Sequence, residues 1–199
     1  MGSTHVGAET TAFARSVRFQ GQPHHHPAQR PGKAALPQCR ADQRHRRPLD
    51  QPLWQALTDP AFTNRYWGAG FDTDWRPGSE MVWHQRDWTS KDPEQVVLEA
   101  EPYRRLSYTW HTFDPAFAAT FEMDPDDVAA WAREPRSKVT FEIEPQGEVV
   151  ELAVVHDGFE PGSQVLRGIS GGWPSILSNL KTLLETGRSL PDPVTAANS

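Results

Sequence analysis

The stretch from Trp173 to Gly187 constrains this chain more than any other. Trp173, Ile176, Leu177, Leu180, Leu183 and Leu184 recur at the spacing of a single helix face. Ser175, Asn179, Lys181 and Glu185 fall off that face. Pro174 suits the first helical position, and Gly187 suits the left-handed residue that ends a helix. Burying six large apolar side chains at about 1.5–3 kcal/mol each rivals the net stability of a whole domain. Such a helix needs a broad apolar surface to lie on, and two alternating strands just upstream supply one. In residues 137–145, Val139, Phe141 and Ile143 share a face; in 149–157, Val150, Leu152, Val154 and His156 do. Gly147 turns the chain between them, and Gly168-Ile169-Ser170-Gly171-Gly172 reads as a glycine hinge before the helix. A helix laid across a curved antiparallel sheet leaves a cavity between the two.

The alternation continues upstream. Met81, Trp83 and Gln85 share one face of residues 80–86; Val96, Leu98 and Ala100 share one face of 94–101; Leu106, Tyr108 and Trp110 share one face of 105–112. Pro77-Gly78 and Pro102-Tyr103-Arg104 mark turns. Leu53, Trp54 and Leu57 predict a short helix, and Asp59-Pro60 caps a second that stops at Gly68. Residues 114–136 interrupt the meander as an insertion, in which Asp124-Pro125 and Val128, Ala129 and Trp131 predict one helix.

Residues 1–50 are a different kind of text. They hold no tryptophan, whereas all eight tryptophans of the chain lie between Trp54 and Trp173. They carry eight Lys/Arg against three Asp/Glu, about +5, leaving about −11 for the remainder of a chain whose net charge is −6. Gly21–Asp50 has too little apolar surface to offset its ordering entropy, so 1–50 reads as mostly disordered, with a short helix possible over Thr11–Phe19. The acidic remainder repels phosphate backbones, which disfavours nucleic acid as its partner. His24-His25-His26 lacks the fixed geometry of a metal site, and Arg44, Arg46 and Arg47 form a solvated charge run. The one cysteine, Cys39, excludes an intrachain disulfide. No apolar run has the length of a membrane span and the start lacks a signal-peptide core; the expected location is the cytoplasm. Residues 51–190 form the expected folded domain, and 191–199 a loose tail.

Several ordered motifs carry a resemblance. Leu53-Trp54-Gln55-Ala56-Leu57-Thr58-Asp59-Pro60 with Arg65-Tyr66-Trp67, then Asp74-Trp75-Arg76-Pro77-Gly78-Ser79, then the strand Pro102 to Trp110, and finally His156-Asp157-Gly158-Phe159 and Gly171-Gly172-Trp173-Pro174 are similar to the Hsp90-ATPase-activator-like proteins. These belong to the START/Bet v 1-like (SRPBCC) superfamily, and the match spans about residues 53–190. The resemblance implies an α+β helix-grip fold: a curved antiparallel sheet wraps a long C-terminal helix, two small helices close one end, and a cavity lies between. Members without a further domain are usually small bacterial proteins thought to bind apolar ligands. The family has an apolar first strand directly before the first helix. Here that place holds Arg40 to Pro48, with no apolar face, as if the text were replaced or out of frame. The expectation is a degraded or missing first strand, leaving an uncovered sheet edge that favours homodimers.

No nucleophile elbow, P-loop, metalloprotease or dinucleotide motif is present. Expected ligand-binding residues are Trp67, Trp83, Tyr108, Trp110, Phe141, His156, Trp173 and Leu177, with no catalytic residue, no metal and no cofactor. His84 and His111 have the outward parity of their strands, and Asp126-Asp127 and Glu142/Glu144 read as surface pairs. The expected activity is non-catalytic binding of an apolar or aromatic small molecule. A cyclase- or hydrolase-type enzyme using His156, Tyr108 or Asp157 is one alternative, and a co-chaperone-like interaction module is another.

Overall fold

The computed structural model describes residues 11–20, 50–110 and 113–190. In chain order the elements are β1 (Phe13–Gln20), α1 (Asp50–Thr58), α2 (Pro60–Tyr66), β2 (Ala69–Asp72), β3 (Val82–Gln85), β4 (Trp88–Thr89), β5 (Val97–Glu101), β6 (Arg105–Trp110), α3 (Pro115–Thr120), α4 (Pro125–Trp131), β7 (Ser137–Gln146), β8 (Val149–Asp157) and α5 (Gln164–Thr186). Five strands form an antiparallel sheet in the order β1-β8-β7-β6-β5, and β2-β3-β4 form a second. A bridge between Glu80 and Val96 joins the two, with Met81 N donating to Gln95 O at 2.8 Å. The long helix α5 lies on this surface, and α1 and α2 pack beside it. This is the helix-grip architecture.

The first strand is present, contrary to the sequence expectation. It is Phe13–Gln20, where a short helix was expected, and it pairs with β8 along its full length. Phe13, Val17 and Phe19 stand opposite His156, Leu152 and Val150, so their faces share one core. On the outer face Arg18 pairs with Glu151 at 2.9 Å. The edge of β8 is therefore covered, and the argument for a homodimer through it falls. The Arg40–Pro48 run lies outside the described residues, as do the histidine triplet, Cys39, His111 and the 191–199 tail.

A second correction concerns α5. The glycine run is no hinge: the helix is continuous from Gln164, with Ser163 as N-cap accepting from Leu166 N at 2.9 Å, and Pro174 lies inside it. Glycine and proline signal a break locally, but burial of one long apolar face overrides that signal. Trp173, Leu177, Leu180 and Leu183 are buried, while Ile176 and Leu184 pack partly buried at the margin. Gly187 ends the helix in the left-handed conformation (φ 73°), a geometry that costs a residue with a Cβ.

In β5 the expected face is also reversed. Gln95 and Val97 are buried, whereas Leu98 is exposed. A register shift between Val97 and Glu99 resets the alternation, so Ala100 again packs toward the core. The insertion contains two helices rather than one, each begun by an aspartate cap and a proline: Asp114-Pro115 and Asp124-Pro125.

Candidate functional site: an aromatic cavity under the insertion

Glu134, at the end of the insertion, reaches the first turn of α5. Its Oε1 accepts from Gln164 N at 2.7 Å and Val165 N at 3.3 Å, satisfying donors that have no partner within the helix. This contact ties the insertion across the N-terminal half of α5. At the other end, Arg65 Nη2 donates to Gly187 O at 2.8 Å and Asn179 Nδ2 donates to Tyr66 O at 3.0 Å, which ties α2 to the C-terminal half. The two halves of the helix thus have different roofs.

A cavity of about 220 Å³ opens under the insertion. Trp67, Trp83 and Trp110 form one wall. Phe117, Met123 and Trp131 of the insertion, with Phe113 and Trp88, form the opposite one, and Val165, Gly168 and Ile169 of α5 complete it. Gly168 serves close approach: a Cβ there would meet the Trp131 ring at 3.4 Å, so the indole lies against bare helix backbone. Among the described residues the only polar side chain on these walls, tryptophan N–H groups aside, is Gln85.

Three of the eight residues singled out in the sequence, Trp67, Trp83 and Trp110, line this cavity. Trp67 and Trp110 stack with centroids 5.7 Å apart, and Trp83 meets Trp110 edge-on at 4.7 Å. Tyr108, Phe141, Trp173 and Leu177 lie in the packed layer behind. Trp173 touches Trp110 at 5.6 Å and Phe141 at 5.8 Å. His156 is fully buried. Its Nδ1 accepts from Trp173 Nε1 at 3.2 Å, and its Nε2 lies 2.9 Å from Ser137 Oγ. Because Nδ1 accepts, Nε2 carries the proton and donates to Ser137, whose hydroxyl donates in turn to Trp110 O at 3.0 Å. Burial pushes the imidazole down to about 3. The histidine is a neutral, fully bonded joint between sheet and helix. Burial likewise pushes the Tyr108 phenol well above its ordinary range. Asp157 sits beside Lys138 at 3.8 Å, and exposed His84 meets Thr89 Oγ1 at 3.2 Å.

The insertion's contribution was missed because its apolar residues have no strand or long-helix periodicity. The available signal was density: Phe113, Phe117, Phe121, Met123 and Trp131 are too many apolar side chains for a solvated loop.

A second cavity, about 350 Å³, meets the first at Trp88 and Phe113. Ser90, Lys91, Asp92, Asp114 and Ala132 complete its walls. Asp92 is paired with Arg136 Nη2 at 2.7 Å, and Asp114 accepts from Trp88 Nε1 at 3.0 Å and from Phe117 N at 2.6 Å. Among the described residues no cluster of three or more His, Cys, Asp or Glu could hold a metal ion, and no helix is long and apolar enough to cross a membrane.

A sheet gripping one long helix, with an aromatic hollow beside it, defines an α+β helix-grip protein of the Bet v 1-like class. The sequence model of the Activator of Hsp90 ATPase homolog 1-like proteins matches residues 50–185, and the chain belongs to that family. Among solved structures, CalU16 from Micromonospora echinospora is similar at TM-score 0.55 and 17% identity, over 94% of this chain and 81% of that one. MLL2253 from Mesorhizobium loti gives 0.53 and 23%, over 86% and 96%. The Aha1 dimer from Colwellia psychrerythraea gives 0.56 and 12%, over 90% and 100%. At these identities the likeness concerns the fold. A search of curated proteins finds no significant match.

Proposed function

We propose that this protein binds an apolar or aromatic small molecule, without transforming it, in the cavity between the insertion, Trp67, Trp83 and Trp110, and the N-terminal half of α5. One observation carries the reading: among the described residues, no side chain lining this cavity titrates. General acid–base catalysis needs such a group within hydrogen-bond reach of the reacting atoms. Of the groups named for the enzyme alternative, His156 and Tyr108 are buried behind the wall and held neutral at ordinary pH, and Asp157 does not line the cavity and sits beside Lys138 at 3.8 Å. Among the described residues the exposed large apolar side chains are Leu98, Tyr103 and Leu190, which gives the interaction-module alternative little surface to work with.

Size narrows the ligand. An apolar cavity of roughly 150 Å³ holds a benzene ring. A cavity of about 220 Å³ suits a body of one or two rings. The test is titration of intrinsic tryptophan fluorescence with one- and two-ring aromatics, for the native protein and Gly168→Leu. Saturable quenching that Gly168→Leu abolishes, with its circular dichroism intact, supports the reading. Saturable quenching by no member of the panel sinks it.

A further inference from the structure

Among the described residues, four buried side-chain polar atoms have no hydrogen-bond partner: Thr63 Oγ1, Thr73 Oγ1, Trp83 Nε1 and Arg136 Nη1. Of these four residues only Trp83 lines the aromatic cavity. Its side chain is 3% exposed, and it packs among rings: Trp110 at 4.7 Å, Phe71 at 5.0 Å, Trp67 at 5.9 Å and Tyr108 at 6.0 Å between centroids. None of them gives the indole N–H an acceptor. A buried donor left unbonded weakens a fold, and a ring without an N–H would fill this wall without that loss. The other tryptophans whose neighbours approach the cavity are engaged: Trp88 Nε1 donates to Asp114 Oδ1 at 3.0 Å, and Trp173 Nε1 donates to His156 Nδ1 at 3.2 Å.

Gln85 stands two residues further along β3, on the same face as Trp83, and is half-buried on the cavity wall. Its amide supplies further N–H donors. An indole N–H can only donate, so its missing partner is an acceptor. A carbonyl oxygen has two lone pairs and no proton of its own to place, so it can take both donors at once. A carboxylate would enter a wall that carries no cation among the described residues, and an ammonium would meet a donor instead of an acceptor. We infer that the ligand is an uncharged aromatic carbonyl compound, its one- or two-ring body between the aromatic walls and its carbonyl oxygen received by the Gln85 amide and the Trp83 indole N–H. This rests on the binding reading above and adds the polar group that the ligand carries. Aromatic walls would hold any flat apolar body; β3 selects among such bodies by the one acceptor it demands.

The experiment is equilibrium dialysis at pH 7.5 with three probes of one shape: 2-acetylnaphthalene, 2-ethylnaphthalene and 2-naphthoate. Each is run on the native protein, Gln85→Leu and Gly168→Leu. In parallel, the indole N–H signal of Trp83, assigned in the native protein from its contacts with the Phe71 and Trp110 rings, is followed by NMR. The ketone is expected to bind at least as tightly as the hydrocarbon, although water holds the ketone more strongly, and the acid to bind more weakly than either. Gln85→Leu weakens the ketone by about fivefold or more and does not weaken the hydrocarbon. The Trp83 N–H signal moves downfield with the ketone and not with the hydrocarbon. A ketone affinity that Gln85→Leu leaves unchanged overturns the inference. So does an acid that binds as tightly as the ketone, or an indole signal that responds alike to ketone and hydrocarbon. In each of these cases hydrocarbon binding that disappears in Gly168→Leu leaves the binding function standing. Failure of all three probes to bind overturns both.

Discussion

The indole N–H of Trp173 donates to Nδ1 of His156 across 3.2 Å, and this bond decides which imidazole nitrogen carries the proton. A helix residue thereby fixes the tautomer of a strand residue in the middle of the core. The side chains packed on the ring, Trp110, Phe159, Trp173 and Ser137, include no titratable group. The depressed protonation point, about 3, follows from burial. In the folded protein the ring is neutral, whereas in the unfolded chain it takes a proton below about 6.5. The contribution to stability is therefore complete above about 6.5 and is lost as pH falls toward about 3, at about 1.4 kcal/mol per unit. Urea unfolding at intervals from pH 7 to pH 4 should show the native protein losing stability more steeply than His156→Gln. Parallel profiles would refute the neutral-joint assignment.

Trp173→Phe keeps most of the ring and removes the donor. With Nδ1 left unbonded in the core, a loss of about 1–3 kcal/mol is expected, and about 3–5 kcal/mol for Trp173→Ala. The measurement is the urea midpoint at constant m-value. A Trp173→Phe variant as stable as the native protein would mean that the hydrogen bond contributes nothing.

Gly171 and Gly172 lie mid-helix, exposed, and a Cβ at either would meet nothing within 4 Å. Alanine should stabilise the helix by about 0.5–1 kcal/mol at each position. The double variant should melt about 2–6 °C higher. An unchanged or lower melting temperature would show that the pair serves a contact or motion absent from this structure.

Glu134 and Ser163 jointly cap α5. Ser163→Ala should cost about 1 kcal/mol, and Glu134→Ala should accelerate hydrogen exchange at the Gln164 and Val165 amides while those beyond Leu177 stay protected. Uniform loss of protection along the helix would contradict a local cap.

The readable parts of this fold were those whose pattern is local and long. The faces of β6, β7 and β8 and the stripe on α5 each repeat a side-chain period several times, and burial follows them closely. β1 escaped because Arg15 interrupts its short apolar face and because residues 21–49 separate it from the helix it was expected to adjoin. β5 misled because one register shift moves every later side chain to the other face. The cavity was half legible: Trp67, Trp83 and Trp110 sit on regular elements, whereas Phe117, Met123 and Trp131 reach it through a fold of the insertion that no periodicity encodes.

The sheet opens and closes on the two strands that lie nearest the ends of its sequence. Arg18 and Glu151 touch across a separation of 133 residues. Until β8 has been synthesised, β1 has nothing to pair with, so the final sheet-building step is a long-range ring closure that pays its entropy late. The same topology makes the strand separable: a chain severed within 21–49 should accept Phe13–Gln20 back as a free peptide, reassembling from two fragments.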